Sequence, residues 1–184
     1  MGEAFVTLIP HLENPMTTLF PPHRNLPEHP THPIVFLGGS IEMGKAEDWQ
    51  QRITQTIEAI NTNILVCNPR RPDWDSAWEQ RADNPNFSEQ VHWELDHLQR
   101  ANVAVFYFQP DTMSPITLME LGHTLADNKL LQATLNHPNQ KIVVCCPDGF
   151  WRKGNVEIIC QRYGVDVYNT LEEMEDRLKD VLVS

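Results

Sequence analysis

Positive charge is scarce in this chain: 14 Lys and Arg stand against 25 Asp and Glu, a formal net charge of −11. The shortage argues against a nucleic-acid polymer as partner, because neutralising phosphates is what supplies such affinity. A small substrate is still compatible with it, since a few cations in a pocket suffice. Long apolar runs are missing too. No stretch approaches the ~20 residues that span a bilayer, and the first residues carry no basic region ahead of an apolar one. Met1-Gly2 opens like a myristoylation site, yet Val6 stands where Ser or Thr is needed. Cysteine is sparse. Cys67, Cys145, Cys146 and Cys160 contain no Cys-x-x-Cys pair, which reads as reduced, buried thiols and not as a disulfide framework or zinc site. Asn86-Phe87-Ser88 matches a glycosylation sequon, but nothing else points outside the cell. The expectation is a soluble cytoplasmic protein that avoids membranes, with 184 residues enough for one domain and its own core. Internal repeats are absent.

Proline, by contrast, is concentrated. Residues 1–33 hold seven of the 14 prolines and four of the eight histidines: His11, His23, His29 and His32. Apart from Ala4 to Ile9, readable as an edge strand, this segment is expected to be an irregular arm laid over a domain of residues 34–184. Its histidines lack helical spacing and supporting carboxylates, so no metal site is expected there.

From residue 34 onward, short apolar runs alternate with helical patterns. Strands are expected at Ile34–Leu37, Ile64–Cys67, Val103–Phe108, Lys141–Cys146 and Val165–Tyr168. Between them, helices are expected near Ala46–Ile60, Ser88–Ala101, from Ser114, and Val156–Tyr163. A last one follows the Thr170/Glu173 capping box. Trp49, Ile53, Ile57 and Ile60 form one stripe of the first helix; Val91, Leu95 and Leu98 are read as the inward face of the second. Strands apolar on both faces and separated by helices imply an α/β domain with a doubly wound, mainly parallel five-stranded sheet, covered on both sides. The site then lies outside the carboxyl ends of the strands. Those ends are Gly38–Ile41, Asn68–Asp75, Gln109–Ser114 and Pro147–Asn155.

At these ends several candidates compete. Gly38-Gly39-Ser40 is a turn whose glycines allow a ligand close to the backbone. Gly39 to Lys45 matches a phosphate-loop pattern, but Ala46 follows where Mg²⁺ needs a hydroxyl, and Glu42 would aim negative charge into the cradle. A dinucleotide fingerprint is weaker still, because Cys67-Asn68 offers no acid to a ribose. The paired-carboxylate reading is stronger. Glu120 interrupts the apolar face of Leu118, Leu121 and Leu125, and a carboxylate there costs free energy unless it is paired or used. Glu94 lies on the helix before the same strand, so the two can meet near its carboxyl end. Two carboxylates in a dry cleft push their pKa values apart, as glycosidic bond cleavage requires. Set against this is a purely structural pair of surface carboxylates. His92, His97 and His123 are candidate proton carriers, and Trp74, Trp78, Trp93 and Trp151 candidate stacking partners for a base. Ordinary packing is the competing explanation for each of these.

Phe36-Leu37-Gly38-Gly39-Ser40-Ile41, Asn68-Pro69-Arg70-Arg71, Trp93-Glu94, Ser114-Pro115-Ile116 with Met119-Glu120-Leu121-Gly122, and Gly154-Asn155-Val156 occur in that order. Together, over roughly residues 34–157, they resemble the nucleoside 2-deoxyribosyltransferase family. The resemblance implies a flavodoxin- or Rossmann-like fold, with Glu120 as the nucleophile and Glu94 as the group that passes a proton to and from the base. Gly39, Ser40, Ile41, Asn68, Arg70, Trp93 and Ser114 fall among the implied substrate-binding residues. Asn155 is implied to come from a neighbouring subunit, hence a homo-oligomer with shared sites. The implied substrates are 2′-deoxynucleosides and purine or pyrimidine bases, exchanged with neither metal nor organic cofactor. Two departures stand out. Ser114 replaces the Asp that commonly holds a 5′-hydroxyl, and Phe36 replaces a Tyr that bonds the nucleophile. Ser114, with Arg70, Arg71 and Arg152, keeps open the hydrolysis of deoxynucleoside 5′-monophosphates. A non-catalytic nucleotide-binding module is the rival of another class.

Overall fold

The apolar runs of the sequence form the middle of one sheet. In this computed structural model, residues 17–22, 26, 31–42, 46–61, 63–75, 77–135 and 140–183 are described. The strands are β1 (Thr17–Leu19), β2 (Ile34–Gly39), β3 (Leu65–Cys67), β4 (Val103–Tyr107), β5 (Lys141–Cys145) and β6 (Val167–Tyr168). The helices are α1 (Trp49–Ile60), α2 (Pro85–Arg100), α3 (Pro115–Leu135), α4 (Lys153–Tyr163) and α5 (Leu171–Val183). Every strand pairing is parallel, in the order β1-β3-β2-β4-β5-β6. The fold is thus α/β and doubly wound, as expected, but with six strands instead of five. The extra one is β1. It belongs to the proline-rich arm and pairs only with β3, so an edge position accommodates the prolines around it. The expected strand at Ala4–Ile9 lies outside the described residues.

Strand alternation sorts the core into two layers. Ile34, Phe36, Ala104, Phe106 and Val144 face Trp93, Leu98, Leu121, Leu125, Val156 and Cys160 of α2, α3 and α4. Val35, Leu37, Val103, Val105 and Val143 face Trp49, Ile53 and Ile57 of α1 and Leu171, Met174 and Leu178 of α5. Each fully buried Ile or Leu contributes roughly 1.5–3 kcal/mol, so both layers are needed. The α1 stripe is as expected, and the Thr170/Glu173 capping box forms: Glu173 N–H donates to Thr170 Oγ1 at 3.1 Å and Thr170 N–H to Glu173 Oε2 at 3.3 Å.

Helix α2 differs in two ways. It starts at Pro85 with Asn84 as cap, whose side chain accepts from the Asn86 and Phe87 amides, so Ser88 lies inside the helix. Its buried residues are Gln90, Trp93, His97 and Leu98, whereas Leu95 is 40% exposed. The larger aromatic surface of Trp93 wins the core-facing position, and that turns the helix relative to the expected Val91–Leu95–Leu98 face.

The order of the strands creates a switch point. From β2 the chain runs through α1 to β3 on one side, then crosses by way of α2 to β4 on the other. The crevice beyond the carboxyl ends of β2 and β4 is where an open α/β sheet of this kind receives a ligand.

Candidate active site

Beyond β2, Ser40 is buried and its hydroxyl organises the crevice. Ser40 Oγ lies 2.9 Å from Thr112 Oγ1 and 2.6 Å from Ser114 Oγ, while Thr112 Oγ1 and Ser114 Oγ are 3.0 Å apart. Ser40 Oγ also accepts from Gln109 N–H at 2.9 Å, and Thr112 Oγ1 donates to the Gln109 carbonyl oxygen at 2.8 Å. This closed hydroxyl triangle joins the turn after β2 to the segment between β4 and α3. Ser114 therefore does not cap α3 with its side chain, as its place before Pro115 suggests. Its backbone is left-handed, φ 41°, its hydroxyl belongs to the triangle, and its carbonyl oxygen accepts from Leu118 N–H at 3.1 Å.

The glycines before it have an internal reason. A Cβ on Gly39 would stand 2.5 Å from the Trp49 indole and 2.6 Å from the Tyr107 carbonyl oxygen. Close packing fixes this residue, and Trp49 Nε1 donates to the Ser40 carbonyl oxygen at 3.1 Å. Ile41 is half-buried, and its carbonyl oxygen accepts from Ala46 N–H at 3.3 Å. Gly44 and Lys45 of the phosphate-loop pattern lie outside the described residues.

Glu120 projects from α3 and is only 7% exposed. Among the described residues none donates a hydrogen bond to its carboxylate; Phe36, fully buried in the core, has no hydroxyl to offer. Glu94 of α2 is better held. Gln90, one turn earlier, donates from Nε2 to Glu94 Oε1 at 2.7 Å and to the Pro69 carbonyl oxygen at 3.1 Å. Because that carbonyl can only accept, the amide is fixed with its nitrogen toward Glu94. Burial holds both carboxyls well above the ordinary carboxylate range. At Glu94 the Gln90 hydrogen bond partly opposes this, and at Glu120 the negative charge of Glu94 adds to it. The two carboxylates are thus close enough for the charge of Glu94 to act on Glu120. The pair favours keeping a proton, leaving one group ionised and the other able to donate.

Other candidates fall elsewhere. Trp93 is fully buried, stacked on His97 with ring centroids 4.0 Å apart and packed against Phe36 at 6.4 Å, so it presents no open face to a base. His97 Nδ1 donates to the Trp93 carbonyl oxygen at 2.7 Å, and His92 contacts the Ser88 carbonyl oxygen of its own helix at 2.7 Å. His123 lies exposed on α3. Asn68 closes a turn, accepting from Arg70 N–H at 2.9 Å. Arg70 reaches back to the Ala46 and Glu47 carbonyl oxygens at 2.9 and 2.8 Å. Arg71 pairs with Asp73 at 2.7 Å and lies 5.1 Å over Trp78, which meets Trp74 edge-on. Arg152 lies 4.1 Å over Trp151. Asn155 is exposed in the first turn of α4. Among the described residues, no group of three or more His, Cys, Asp or Glu gathers as a metal site, and no helix is long and apolar enough to cross a membrane. Of the arm's histidines, His11, His23 and His29 lie outside the described residues.

Sequence reasoning missed three residues of this region: Gln90, Thr112 and the partner role of Glu42. Gln90 carried one signal, a polar residue at helical spacing from both Trp93 and Glu94. Thr112 and Glu42 carried none, because their contacts join segments some 70 residues apart.

Comparison with known proteins agrees with this architecture. The chain is similar to a conserved protein from Enterococcus faecalis V583, with 13% identity and a TM-score of 0.54 over 82% of this chain and 99% of that one; this likeness concerns the fold alone. No curated protein sequence matches. A family model described as nucleoside 2-deoxyribosyltransferase like matches residues 32–150, more than half the chain and all of the crevice just described, and the chain belongs to that family.

Proposed function

We propose that the protein exchanges the base of 2′-deoxynucleosides by double displacement at Glu120. The observation that carries this reading is a pair of carboxyl groups, buried Glu120 and half-buried Glu94, at the switch point of the sheet. The pair shares one proton, and the form that carries it on Glu94 is the one that reacts: the Glu120 carboxylate attacks C1′, and the C1′–N bond breaks with its electron pair leaving on the base nitrogen. Glu94 supplies the proton that neutralises that nitrogen. A second base then attacks C1′ and gives its proton to Glu94, and the ester bond to Glu120 breaks to regenerate the carboxylate. A sugar without a 2′-hydroxyl tolerates oxocarbenium character, so two carboxyl groups suffice without a metal or organic cofactor. Gln90 keeps Glu94 in place, and the hydroxyl triangle sets the wall on which the sugar lies. Ser40, Ile41, Asn68 and Ser114 line that side, with Gly39 and Arg70 shaping it from behind.

Family membership over residues 32–150 supports the same reading; beyond that match, the proposal includes a neighbouring subunit whose Asn155 completes the site in a homo-oligomer. Exposed Ile116 and Met119 on α3 and Ile158 on α4 provide apolar surface on the two helices beside that residue.

Thymidine incubated with adenine, followed by chromatography, tests the function. Deoxyadenosine is expected from the wild type, and Glu120→Ala lowers its formation by about 10³-fold or more. Undiminished exchange in that variant rules out Glu120 as nucleophile. Free sugar from the monophosphate identifies a hydrolase instead, and ligand binding without product identifies a binding module.

A further inference from the structure

The turn after β2 sends a carboxylate to the start of α3. Glu42 Oε1 accepts from Met113 N–H at 2.9 Å and from Ser114 N–H at 2.8 Å. Amides at the start of a helix are where an anion is ordinarily received, because they lack partners and sit at the positive end of the dipole. Here the protein's own carboxylate already holds them. Both Glu42 and Ser114 adopt left-handed backbone, φ 47° and 41°, conformations uncommon outside glycine, and the contact joins them. Among the described residues, the guanidiniums of the neighbouring loops are engaged elsewhere. Arg70 is tied to the Ala46 and Glu47 carbonyl oxygens, Arg71 to Asp73, and Arg152 to the face of Trp151.

Geometry relates this carboxylate to the substrate. Glu120 lies six residues after Ser114, about 9 Å along the axis at ~1.5 Å per residue, and helical side chains lean back toward the N-terminus. A pentose whose C1′ meets the Glu120 carboxylate therefore extends its 5′ carbon toward Ser114 and Glu42. Resting on the transferase reading, we infer that Glu42 selects substrates ending in a neutral 5′-hydroxyl and excludes 5′-phosphates. A carboxylate engaged through one oxygen can still accept from a hydroxyl. A phosphate dianion meets like charge and finds its amide donors taken. The four-oxygen geometry that Ser114 alone would have favoured is thereby closed off.

Titration calorimetry of the wild type, Glu42→Gln and Glu42→Ala with thymidine, thymidine 5′-monophosphate and inorganic phosphate tests this. Circular dichroism checks that each variant is folded. The wild type is expected to prefer thymidine over its monophosphate by at least about tenfold, the worth of one or two charged hydrogen bonds. Glu42→Ala should erase that preference and bind inorganic phosphate more tightly than the wild type. Glu42→Gln, which keeps an acceptor oxygen but not the charge, should narrow the preference as well. Equal binding of the two nucleosides by the wild type overturns the inference, as does a failure of both variants to gain phosphate. Wild-type protein that binds no nucleoside at all overturns the transferase reading, and the phosphate comparison then decides separately whether Glu42 keeps anions off α3.

Discussion

A buried carboxyl group leaves a trace in stability as well as in reactivity. Glu120 has its proton affinity raised by burial and by Glu94, with no hydrogen-bond donor among the described residues to offset either cause. In the unfolded chain the same group titrates near 4.3. Below that pH both states are protonated and the full stability is present. As pH rises through the folded value the buried charge must form, and stability is lost. Glu120→Gln removes this cost. It is expected to stabilise the protein at pH 8 by about 1–3 kcal/mol, roughly 2–10 °C in melting midpoint, and to leave it unchanged at pH 4 while abolishing exchange. Thermal unfolding at the two pH values measures this; an equal effect at both would show that the Glu120 charge does not oppose folding. Glu120 itself was legible in the sequence as a carboxylate out of place. The lack of a donor among the described residues was not, because it depends on which side chains of other elements come near it.

At the scale of elements, the segments around the crevice are held by close packing. Gly39 ends β2 against the Trp49 ring and the Tyr107 carbonyl, and of the two neighbours the backbone cannot yield. Gly39→Ala is expected to cost about 3 kcal/mol and, by displacing Ser40, to disturb the hydroxyl triangle. Gly154→Ala is the comparison. Its Cβ meets nothing within 4 Å, and it lies inside α4, so the change should be neutral or stabilising by up to about 1 kcal/mol. Urea unfolding separates the two, and equal midpoints would contradict the packing account. The sequence marked Gly39 as part of a turn and Gly154 as part of a motif but could not rank them, since Trp49 reaches Gly39 from the other side of a turn. Helix α2 teaches the same lesson. Its existence was plain from periodicity, while its rotation was decided by the burial of Trp93 against Phe36 and His97. That rotation is what buries Gln90 and brings it to the Pro69 carbonyl oxygen, while its place one turn before Glu94 is set by the helix itself.

At the scale of the molecule, the proposed function calls for a site completed by a second chain. Asn155 is exposed at the start of α4, and the apolar side chains of Ile116, Met119 and Ile158 are turned outward. Sedimentation should show more than one copy per particle. Ile158→Glu, 69% exposed in the single chain, should shift the protein toward monomer by at least about tenfold in dissociation constant and lower exchange in parallel. A fully active monomer would refute the shared site. The acidic net charge sits comfortably with a small substrate, and Glu42 continues the same theme locally: negative charge is placed where a phosphate would have to bind.

The sequence by itself determined the alternation of strands and helices, the parallel sheet, the helix caps at Thr170 and the two carboxylates. Each of these rests on interactions within a few residues or on apolar periodicity, which a chain displays before it folds. Tertiary structure decided the sixth strand, the face of α2, the hydroxyl triangle and the seat of Glu42 on α3. These depend on segments far apart in the chain coming together, 72 residues in the case of Glu42 and Ser114. Ser114 shows the division most clearly: its position before Pro115 announced a helix start, but only the approach of Glu42 and Ser40 settled how its amide and hydroxyl are engaged.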